Sequence, residues 1–220
     1  MHVWIIRVDE SAKWRQQCMD VLKEPQRQRA NFLAFEQDKN AYVVSQGGLA
    51  LLLSAYLKIP PSEIKIGREP KGKPFSLDNT DLHFNLSNSG NICAFAFCLN
   101  YQVGMDVEKV RHLPDLETLL NTNFTAREIE DIKKSDDEGE RFFRYWTMKE
   151  SYLKAIGEGM RLTPDNLEFS SDRNGVRLLS VNGVSDGNPW NFQEFLPSPG
   201  YVGTLTHSDE IQKCAWYVIE

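Results

Sequence analysis

The sequence lacks any apolar run long enough to cross a membrane. The run from Leu49 to Leu53 has five residues and the run from Ile92 to Leu99 has eight, whereas a membrane-spanning helix needs about 20. The chain opens without the basic start and long apolar stretch of a signal peptide, since Asp9 and Glu10 follow closely on the first apolar residues. No membrane partner is therefore expected, and the cytoplasm is the expected location.

Paired cysteines and an excess of basic residues are missing as well. The four cysteines form no C-x-x-C pair, and no histidine stands near them at the spacing of zinc ligands. Cys93 and Cys98 lie in an apolar run and are expected to be small buried residues. The formal net charge of −6 argues against a nucleic-acid partner, whose phosphates usually require a basic surface. The net charge does not exclude a local basic patch.

What is present is the ordinary composition of a globular protein, with 41% hydrophobic and 25% charged residues in a chain of 220. The hydrophobic patterns predict strands at residues 1–6, 82–86, 92–99 and 103–107, and helices at residues 11–22, 32–57 and 138–156. Short strands and turns are expected after residue 167. Each half of the chain thus offers helices followed by strands, which predicts an α+β fold with two related halves, 1–102 and 103–220.

Local signals refine this prediction. Pro25 ends the first helical pattern, and Gly47-Gly48 could interrupt the second helix. Residues 87–90 have the chemistry of a turn. Thr125 followed three residues later by Glu128 indicates a capping box at the start of a further helix.

Asp106 and Glu108 are the first residues that point to chemistry. They are two apart on a predicted strand, so both carboxylates face the same side. Two such charges repel each other unless a cation lies between them, and Mg²⁺ takes carboxylate oxygens as ligands. The alternative is a solvated strand face beside Lys109.

A third carboxylate stands out on the last predicted helix. Glu150 projects between Phe143 and Trp146, at the margin of the apolar face rather than in the middle of the polar one. Lys154 follows one turn later and can reach it. The alternative is a salt bridge at the edge of the core, but a carboxylate from a helix would also complete a metal site on the strand.

Two polar segments could hold a phosphorylated ligand. One is Gly72-Lys73-Pro74, and the other runs from Phe84 to Gly90 with the sequence F-N-L-S-N-S-G. A flexible glycine, a lysine and a turn rich in hydroxyl groups can bind phosphate through backbone N–H groups and side chains. Each segment taken alone could equally be an ordinary loop.

The order and spacing of these segments resemble a known family. They read G-K-P, F-N-x-S-x-S-G, V-G-x-D-x-E and W-x-x-K-E-x-x-x-K-x-x-G-x-G, from Gly72 to Gly159. The same series is typical of 4'-phosphopantetheinyl transferases of the surfactin-synthetase-activating type. The resemblance implies a pseudo-twofold pair of α+β halves with coenzyme A in the cleft between them. It also implies Mg²⁺-dependent transfer of the phosphopantetheine arm of coenzyme A to a carrier-protein serine, with release of 3',5'-ADP.

The resemblance further implies a role for each motif residue. Asp106, Glu108 and Glu150 would bind Mg²⁺, or Mn²⁺ in its place, and Glu150 would also act as general base. Lys154 would hold the pyrophosphate and stabilise the leaving group. The remaining coenzyme A contacts would be Lys73 and Pro74 at the adenine, Ser87 and Asn88 near the phosphates, and Arg27 and Arg29 at the 3'-phosphate. Lys149 points away from Glu150 in helical projection, which leaves its role open.

The sequence departs from the family pattern at two places. Asn88 stands where the family turn commonly reads S-H-S, and the long helix near residues 38–48 lacks the usual arginines. These departures keep open a non-catalytic member that binds a carrier protein or coenzyme A as an adaptor. Another magnesium-dependent nucleotide enzyme is a further alternative.

The resemblance implies a carrier protein as partner, and carrier proteins resemble one another in being acidic helical bundles, so docking on an acidic enzyme needs basic side chains. The candidates are Arg111, Lys133, Lys134, Arg141 and Arg144. The enzyme itself is expected to be a monomer.

Overall fold

The computed structural model describes residues 1–157, 162–172, 175–184, 190–208 and 213–219. The helices are α1 (Ala12–Val21), α2 (Glu24–Asn31), α3 (Glu36–Leu57), α4 (Leu116–Asn123), α5 (Ala126–Lys133) and α6 (Glu138–Ile156). The strands are β1 (His2–Arg7), β2 (Ile66–Arg68), β3 (Pro74–Ser76), β4 (Leu82–Ser89), β5 (Ile92–Leu99), β6 (Val103–Lys109), β7 (Leu167–Asp172), β8 (Gly175–Val181), β9 (Asn191–Phe195), β10 (Tyr201–His207) and β11 (Ala215–Ile219). Gly159, the last motif residue, lies outside the described residues.

Two sheets organise the fold, which is α+β as predicted. The first has the strand order β11-β1-β5-β4, in which β11 runs parallel to β1 and the other pairs are antiparallel. The second has the order β6-β10-β9 and is antiparallel throughout. The hairpins β2-β3 and β7-β8 complete the described strands. Strand β11 pairs with β1, so the first sheet also contains a strand from after residue 102. The division at residue 102 stays a prediction.

The two sheets pack against each other, and helices cover their outer faces. On β5, Phe95 and Phe97 face the side covered by α3, while Ala94 and Ala96 face the second sheet. The small alanines let the sheets approach, as alternating residues of a strand point to opposite faces. On β6, Met105 and its alternate neighbours fill this inter-sheet core, so the residues between them face α6.

The structure confirms several predicted elements and corrects others. Helix α1 ends at Val21, before Pro25, as predicted, but Pro25 itself lies in the first turn of the next helix, α2, where its missing N–H costs nothing. Helix α3 begins at Glu36 and continues through Gly47-Gly48. Gly47 lies against the backbone of Cys18, where a Cβ would collide, so the glycine serves packing between α3 and α1. The turn predicted at 87–90 is wrong for residues 87–89, since β4 continues to Ser89.

Other predictions hold. Helix α6 has the predicted bounds, and Thr125 and Glu128 form the expected capping box at the start of α5. Cys93 and Cys98 are buried. Among the described residues, no helix is both long and apolar enough to cross a membrane.

Gly104 on β6 lets α6 lie directly on the strand. A Cβ built at Gly104 would fall 2.0 Å from the Ser151 carbonyl oxygen and 2.4 Å from the Ala155 nitrogen. Both colliding atoms belong to the helix backbone and cannot rotate away. The glycine of the V-G-x-D-x-E motif is therefore required by packing, not by a positive φ.

We expect Gly104→Ala to lower the free energy of unfolding by at least about 2 kcal/mol, because overpacking against backbone forces the helix off the strand. Chemical denaturation measures the loss. The matched control is Gly139→Ala in the first turn of α6, where the nearest atom to an added Cβ is a side-chain oxygen 3.4 Å away. That change should be neutral or stabilise by up to about 1 kcal/mol. Equal effects of the two substitutions would contradict the packing argument.

Candidate active site

Asp106 lies at the centre of the site, on the face of β6 that α6 covers. Its Oδ1 accepts hydrogen bonds from Lys154 Nζ at 2.6 Å and from Ser87 Oγ at 2.8 Å. The residue is 4% exposed, and Oδ2 has no hydrogen-bond partner within the described part of the chain. A buried carboxylate oxygen without a partner is costly, so this atom is suited to a cation that binds the native state.

Glu150 and Lys154 come from consecutive turns of α6, as the helical spacing predicted. Burial raises the pKa of Glu150 above its ordinary value, and the negative charge of Asp106 raises it further. Lys154 opposes this rise, and Glu108 adds a smaller increase. The three predicted carboxylates are therefore close enough to influence one another electrostatically.

Glu108 is half-buried at the outer end of the same strand face. Its Oε2 accepts hydrogen bonds from Ser89 Oγ at 2.7 Å and from Arg111 Nη1 at 3.2 Å. The Arg111 guanidinium also lies 4.9 Å from the centre of the Phe143 ring, a cation–π contact. Two cations, Lys154 and Arg111, thus neutralise part of the charge of the carboxylates.

The three carboxylates predicted to bind Mg²⁺ have suitable chemistry, but among the described residues their side chains are not arranged around one common point. Within the residues that the structure describes, no three His, Cys, Asp or Glu side chains form a group that could hold a metal ion. The fit rests on the unpartnered Asp106 Oδ2 and on an oxygen-only donor set, which Mg²⁺ and Mn²⁺ accept. The assignment of Asp106, Glu108 and Glu150 as ligands stays a prediction.

A cavity of about 680 Å³ opens beside these residues. Lys73, Pro74 and Leu86 line it from one side, and Glu150 and Lys154 line it from α6. Two of the residues predicted at the adenine are thus brought to the same space as two of the predicted catalytic residues. The wall is largely apolar, as in most small-molecule sites.

Lys73 reaches across the cavity floor instead of pointing into solvent. Its Nζ donates to the Ala155 carbonyl at 2.6 Å and to the Val103 carbonyl at 3.3 Å. Burial lowers the pKa of Lys73 to about 8, and the negative charge of Glu69 opposes the shift. The ammonium therefore joins the last turn of α6 to the start of β6, which adds a structural role to the predicted contact with adenine.

The other predicted coenzyme A contacts lie outside this cavity. Asn88 is exposed and points to the opposite face of β4 from Ser87, where its Oδ1 is 3.5 Å from Ser45 Oγ. Arg27 is exposed on α2, but its guanidinium donates to the carbonyls of Asp20 and Leu22 at the end of α1. Arg29 lies exposed on the same helix. The structure does not bring these three side chains together with the carboxylates.

Two sequence profiles of one family together match most of the chain. A profile described as the 4'-phosphopantetheinyl transferase superfamily matches residues 102–206, and one described as 4'-phosphopantetheinyl transferase, N-terminal, matches residues 9–100. The chain is 36% identical over 165 residues to the 4'-phosphopantetheinyl transferase HetI of Nostoc sp., a match that covers 73% of this chain and 70% of that protein. The chain belongs to the 4'-phosphopantetheinyl transferase superfamily.

Other relatives in the superfamily extend the match. The 4'-phosphopantetheinyl transferase Sfp of Bacillus subtilis is 26% identical over 207 residues, which cover 91% of this chain and 89% of that protein. The rat L-aminoadipate-semialdehyde dehydrogenase-phosphopantetheinyl transferase is 29% identical over 161 residues. That match covers 67% of this chain and 52% of the rat protein, so the chain spans about half of the rat protein's length.

One residue of the superfamily motif has a role that the sequence analysis left open. Lys149 is fully buried, and its Nζ donates to Glu128 Oε2 at 2.7 Å. It also donates to three backbone carbonyls at 2.9–3.0 Å, those of Asn123, Pro164 and Leu167. Glu128 is equally buried and accepts from the backbone of Thr125 and Phe169. This node joins α6 to α4, α5 and β7 behind the site.

A sequence signal for this node was available. Lys149 follows Phe142 by seven residues and Tyr145 by four, so it lies in the middle of the apolar face of α6. A lysine at such a position must have a buried partner, since an unpaired buried charge is strongly unfavourable. Glu128 was interpreted as a capping residue alone, and its second function was missed.

We expect Lys149→Met to lower the free energy of unfolding by about 3–5 kcal/mol, because it leaves the Glu128 charge buried without its partner. Denaturant titration measures the change. The control is Lys133→Met, which removes an exposed pair with Glu117 and should cost less than about 1 kcal/mol. A loss of unfolding free energy no larger than that of the control would show that the buried pair does not stabilise the packing of α6 behind the site.

The predicted basic patch is neutralised within the chain. The five basic residues form six pairs: Arg111 with Glu108, Lys133 with Glu117, Lys134 with Glu130, Arg141 with Asp131, and Arg144 with both Glu140 and Glu194. The exposed pairs among them, those of Lys133 and Lys134, are weak and exchange readily with other partners. A carrier-docking role for these residues stays a prediction.

Proposed function

We propose that the protein transfers the 4'-phosphopantetheine arm of coenzyme A to a serine of an apo carrier protein and releases 3',5'-ADP. The observation that carries this proposal is the buried Oδ2 of Asp106, which has no hydrogen-bond partner among the described residues, next to Lys154, which lines one cavity together with Glu150. Membership of the superfamily supports it. The relatives HetI and Sfp are themselves named 4'-phosphopantetheinyl transferases.

In the proposed reaction, the carrier serine oxygen forms a bond to the β-phosphorus of coenzyme A. The bond from that phosphorus to the bridging oxygen breaks, and 3',5'-ADP leaves with the electron pair. Glu150 accepts the serine proton, directly or through a water, and its raised pKa makes it a stronger base than an ordinary carboxylate. Lys154 stabilises negative charge on the pyrophosphate.

The metal belongs to the same proposal. Mg²⁺, or Mn²⁺ in its place, would be held by Asp106, Glu108 and Glu150 and would neutralise the charge that develops on the pyrophosphate. The rest of the catalysis is positioning. Ser87 and Lys154 both donate to Oδ1 of Asp106, so Oδ2 is the oxygen that would bind the cation.

Coenzyme A is proposed to lie between two halves, 1–102 and 103–220, of a monomeric cytoplasmic enzyme. Support comes from the cavity, whose wall combines Lys73 and Pro74 from before residue 102 with Glu150 from after it. Arg27 and Arg29 would serve the 3'-phosphate only after a rearrangement, because Arg27 is bonded to the end of α1.

The deciding experiment combines the protein with coenzyme A, Mg²⁺ and an apo carrier protein, followed by mass spectrometry of the carrier. We expect the carrier to gain the mass of one phosphopantetheine arm. Glu150→Gln is the matched control, since it keeps the size of the side chain and removes the proton acceptor. It should lower turnover at least about a hundredfold. No mass gain with any of several carriers would contradict the proposal.

A second candidate function is a non-catalytic adaptor that binds a carrier protein or coenzyme A. Asn88 favours it, because this exposed amide replaces the histidine that the family commonly has and cannot become a cation. Binding of coenzyme A or a carrier without a mass gain would support the adaptor.

The metal proposal predicts the behaviour of Asp106→Asn, which keeps the shape of the side chain and removes its charge. We expect transfer to fall at least about a hundredfold, since the charge-neutralising ion is lost. Mg²⁺ should raise the melting temperature of the wild-type protein and not that of the variant, because a ligand that binds the native state stabilises it. The control is Glu117→Gln, an exposed carboxylate outside the site. Equal stabilisation of Asp106→Asn and wild type by Mg²⁺ would disprove the assignment.

The phosphate contact predicts the behaviour of Asn88→His. An imidazolium donates a charge-assisted hydrogen bond, roughly twice as strong as a neutral one. We expect coenzyme A to bind about 1 kcal/mol more tightly, severalfold in Kd, and the gain to be larger at pH 6 than at pH 8. Calorimetric titration at both pH values measures this, with Asn88→Ala as the uncharged control. A histidine variant that gains nothing at pH 6 would place Asn88 away from the phosphates.

A further inference from the structure

Strands β4 and β6 lie side by side although they belong to different sheets. Alternate side chains of β4 replace the backbone carbonyls that a neighbouring strand would supply. The contacts run from Met105 N to Asn85 Oδ1 (2.9 Å), from Val107 N to Ser87 Oγ (3.3 Å) and from Lys109 N to Ser89 Oγ (3.1 Å). We call Asn85, Ser87 and Ser89 the polar seam.

Each serine of the polar seam also donates to a carboxylate of the site. Ser87 Oγ donates to Asp106 Oδ1 at 2.8 Å, and Ser89 Oγ donates to Glu108 Oε2 at 2.7 Å. A hydroxyl group has one proton and two acceptor positions. Because each oxygen already accepts a backbone N–H, the proton is committed to the carboxylate. The backbone of β6 therefore sets the direction of each hydroxyl, and the hydroxyl sets the direction of the carboxylate.

We propose that Ser87 and Ser89 are positioning residues for the divalent cation site, with Ser89 orienting Glu108 and Ser87 orienting Asp106. This inference rests on the proposed function, which assigns both carboxylates to the metal. It gives Ser89 a role that the sequence analysis did not assign. For Ser87, which is already predicted to contact the phosphates, it adds a second role. Ser87 also donates to Asp106, whose Oδ2 has no hydrogen-bond partner among the described residues.

The hydrogen bonds matter because a carboxylate on a strand has free side-chain torsions. Glu108 in particular is half-buried and would sample several rotamers without a partner. Hydrogen bonds that orient metal ligands are typically worth 10–100-fold in metal affinity. Both contacts of Glu108, from Ser89 and from Arg111, fall on the same oxygen, Oε2. This arrangement holds one oxygen of the carboxylate and directs the other away from the seam.

Ser89 offers a cleaner test than Ser87. Ser87 Oγ also lies 3.1 Å from Lys154 Nζ, so its removal would disturb a catalytic residue as well. Arg111, the other partner of Glu108, is 54% exposed and bonded at 3.2 Å, which makes it the weaker restraint. The shorter contact from Ser89 should dominate the orientation of Glu108.

The experiment measures the binding of Mn²⁺ and of Mg²⁺ to the full chain by calorimetry, without coenzyme A or carrier. We expect Ser89→Ala to raise the metal Kd about 10–100-fold. Ser89→Thr retains the hydroxyl and should restore Kd to within about threefold of wild type. Ser76→Ala is the matched control, because Ser76 is a buried serine at the end of β3 whose hydroxyl accepts the backbone N–H groups of Asp78 and Asn79. Its metal Kd should not change.

A purely structural role gives a different result. It would lower the melting temperature of Ser89→Ala and leave the metal Kd as in wild type, and that outcome overturns the inference. If Ser89→Ala does not fold, Ser89→Cys replaces it, since a thiol fills similar space and donates weakly. Wild-type affinity in the cysteine variant would overturn the inference as well.

Failure of the proposed function would look different from failure of this inference. A wild-type protein that binds no divalent cation and adds no mass to a carrier overturns both. A wild-type protein that binds the cation and modifies the carrier, while Ser89→Ala binds the cation equally well, overturns the positioning role alone.

Discussion

The close approach of α6 to β6 at Gly104 is the constraint on which the site depends. Without a Cβ at this position, the backbone of Ser151 and Ala155 can rest on the strand. Glu150 and Lys154 each precede one of those two residues, so the same contact brings them to the edge of β6. Asp106, two residues after the glycine, faces the same helix. Helix and strand therefore have to meet at van der Waals distance before Lys154 can reach the carboxylate at 2.6 Å.

Polar contacts hold α6 in this place from several directions. Thr147 and Ser151 pair with Thr204 and Thr206 of β10 through buried hydroxyl groups at 3.0 and 2.7 Å. Lys149 anchors the far side of the helix to Glu128. A buried polar group that loses its hydrogen bond destabilises the fold. These bonds therefore resist sliding and rotation of α6 more than apolar packing does. The helix that carries two of the proposed catalytic residues is thus restrained in both position and rotation.

Much of the site could be predicted from local sequence, because period-2 and period-3.6 patterns decide which side chains share a face. The pairing of Asp106 with Glu108 on one strand face, and of Glu150 with Lys154 on one helix face, needed nothing else. The turn predicted at Ser87–Ser89 failed because hydrogen bonding to β5 overrides local turn chemistry.

Contacts between distant segments could not be predicted, since a single sequence does not say which faces meet. The polar seam of Asn85, Ser87 and Ser89 depends on β4 and β6 lying side by side, and the capture of Arg27 by the end of α1 depends on how two helices pack. Three of the basic-patch pairs are of the same kind, those of Lys133 with Glu117, Arg141 with Asp131 and Arg144 with Glu194. The other three join residues three or four apart.

The charge balance of the site links its two proposed ligands. Asp106, Glu108 and Glu150 supply three carboxylates against the two cations Lys154 and Arg111, and burial together with the charges of Asp106 and Glu108 raises the pKa of Glu150. A pyrophosphate entering here would add further negative charge at short range. It would be repelled unless a cation came with it, and a cation alone would displace part of the internal pairing of Lys154 with Asp106. Each ligand therefore lowers the cost of binding the other, and by thermodynamic linkage the two effects must be equal.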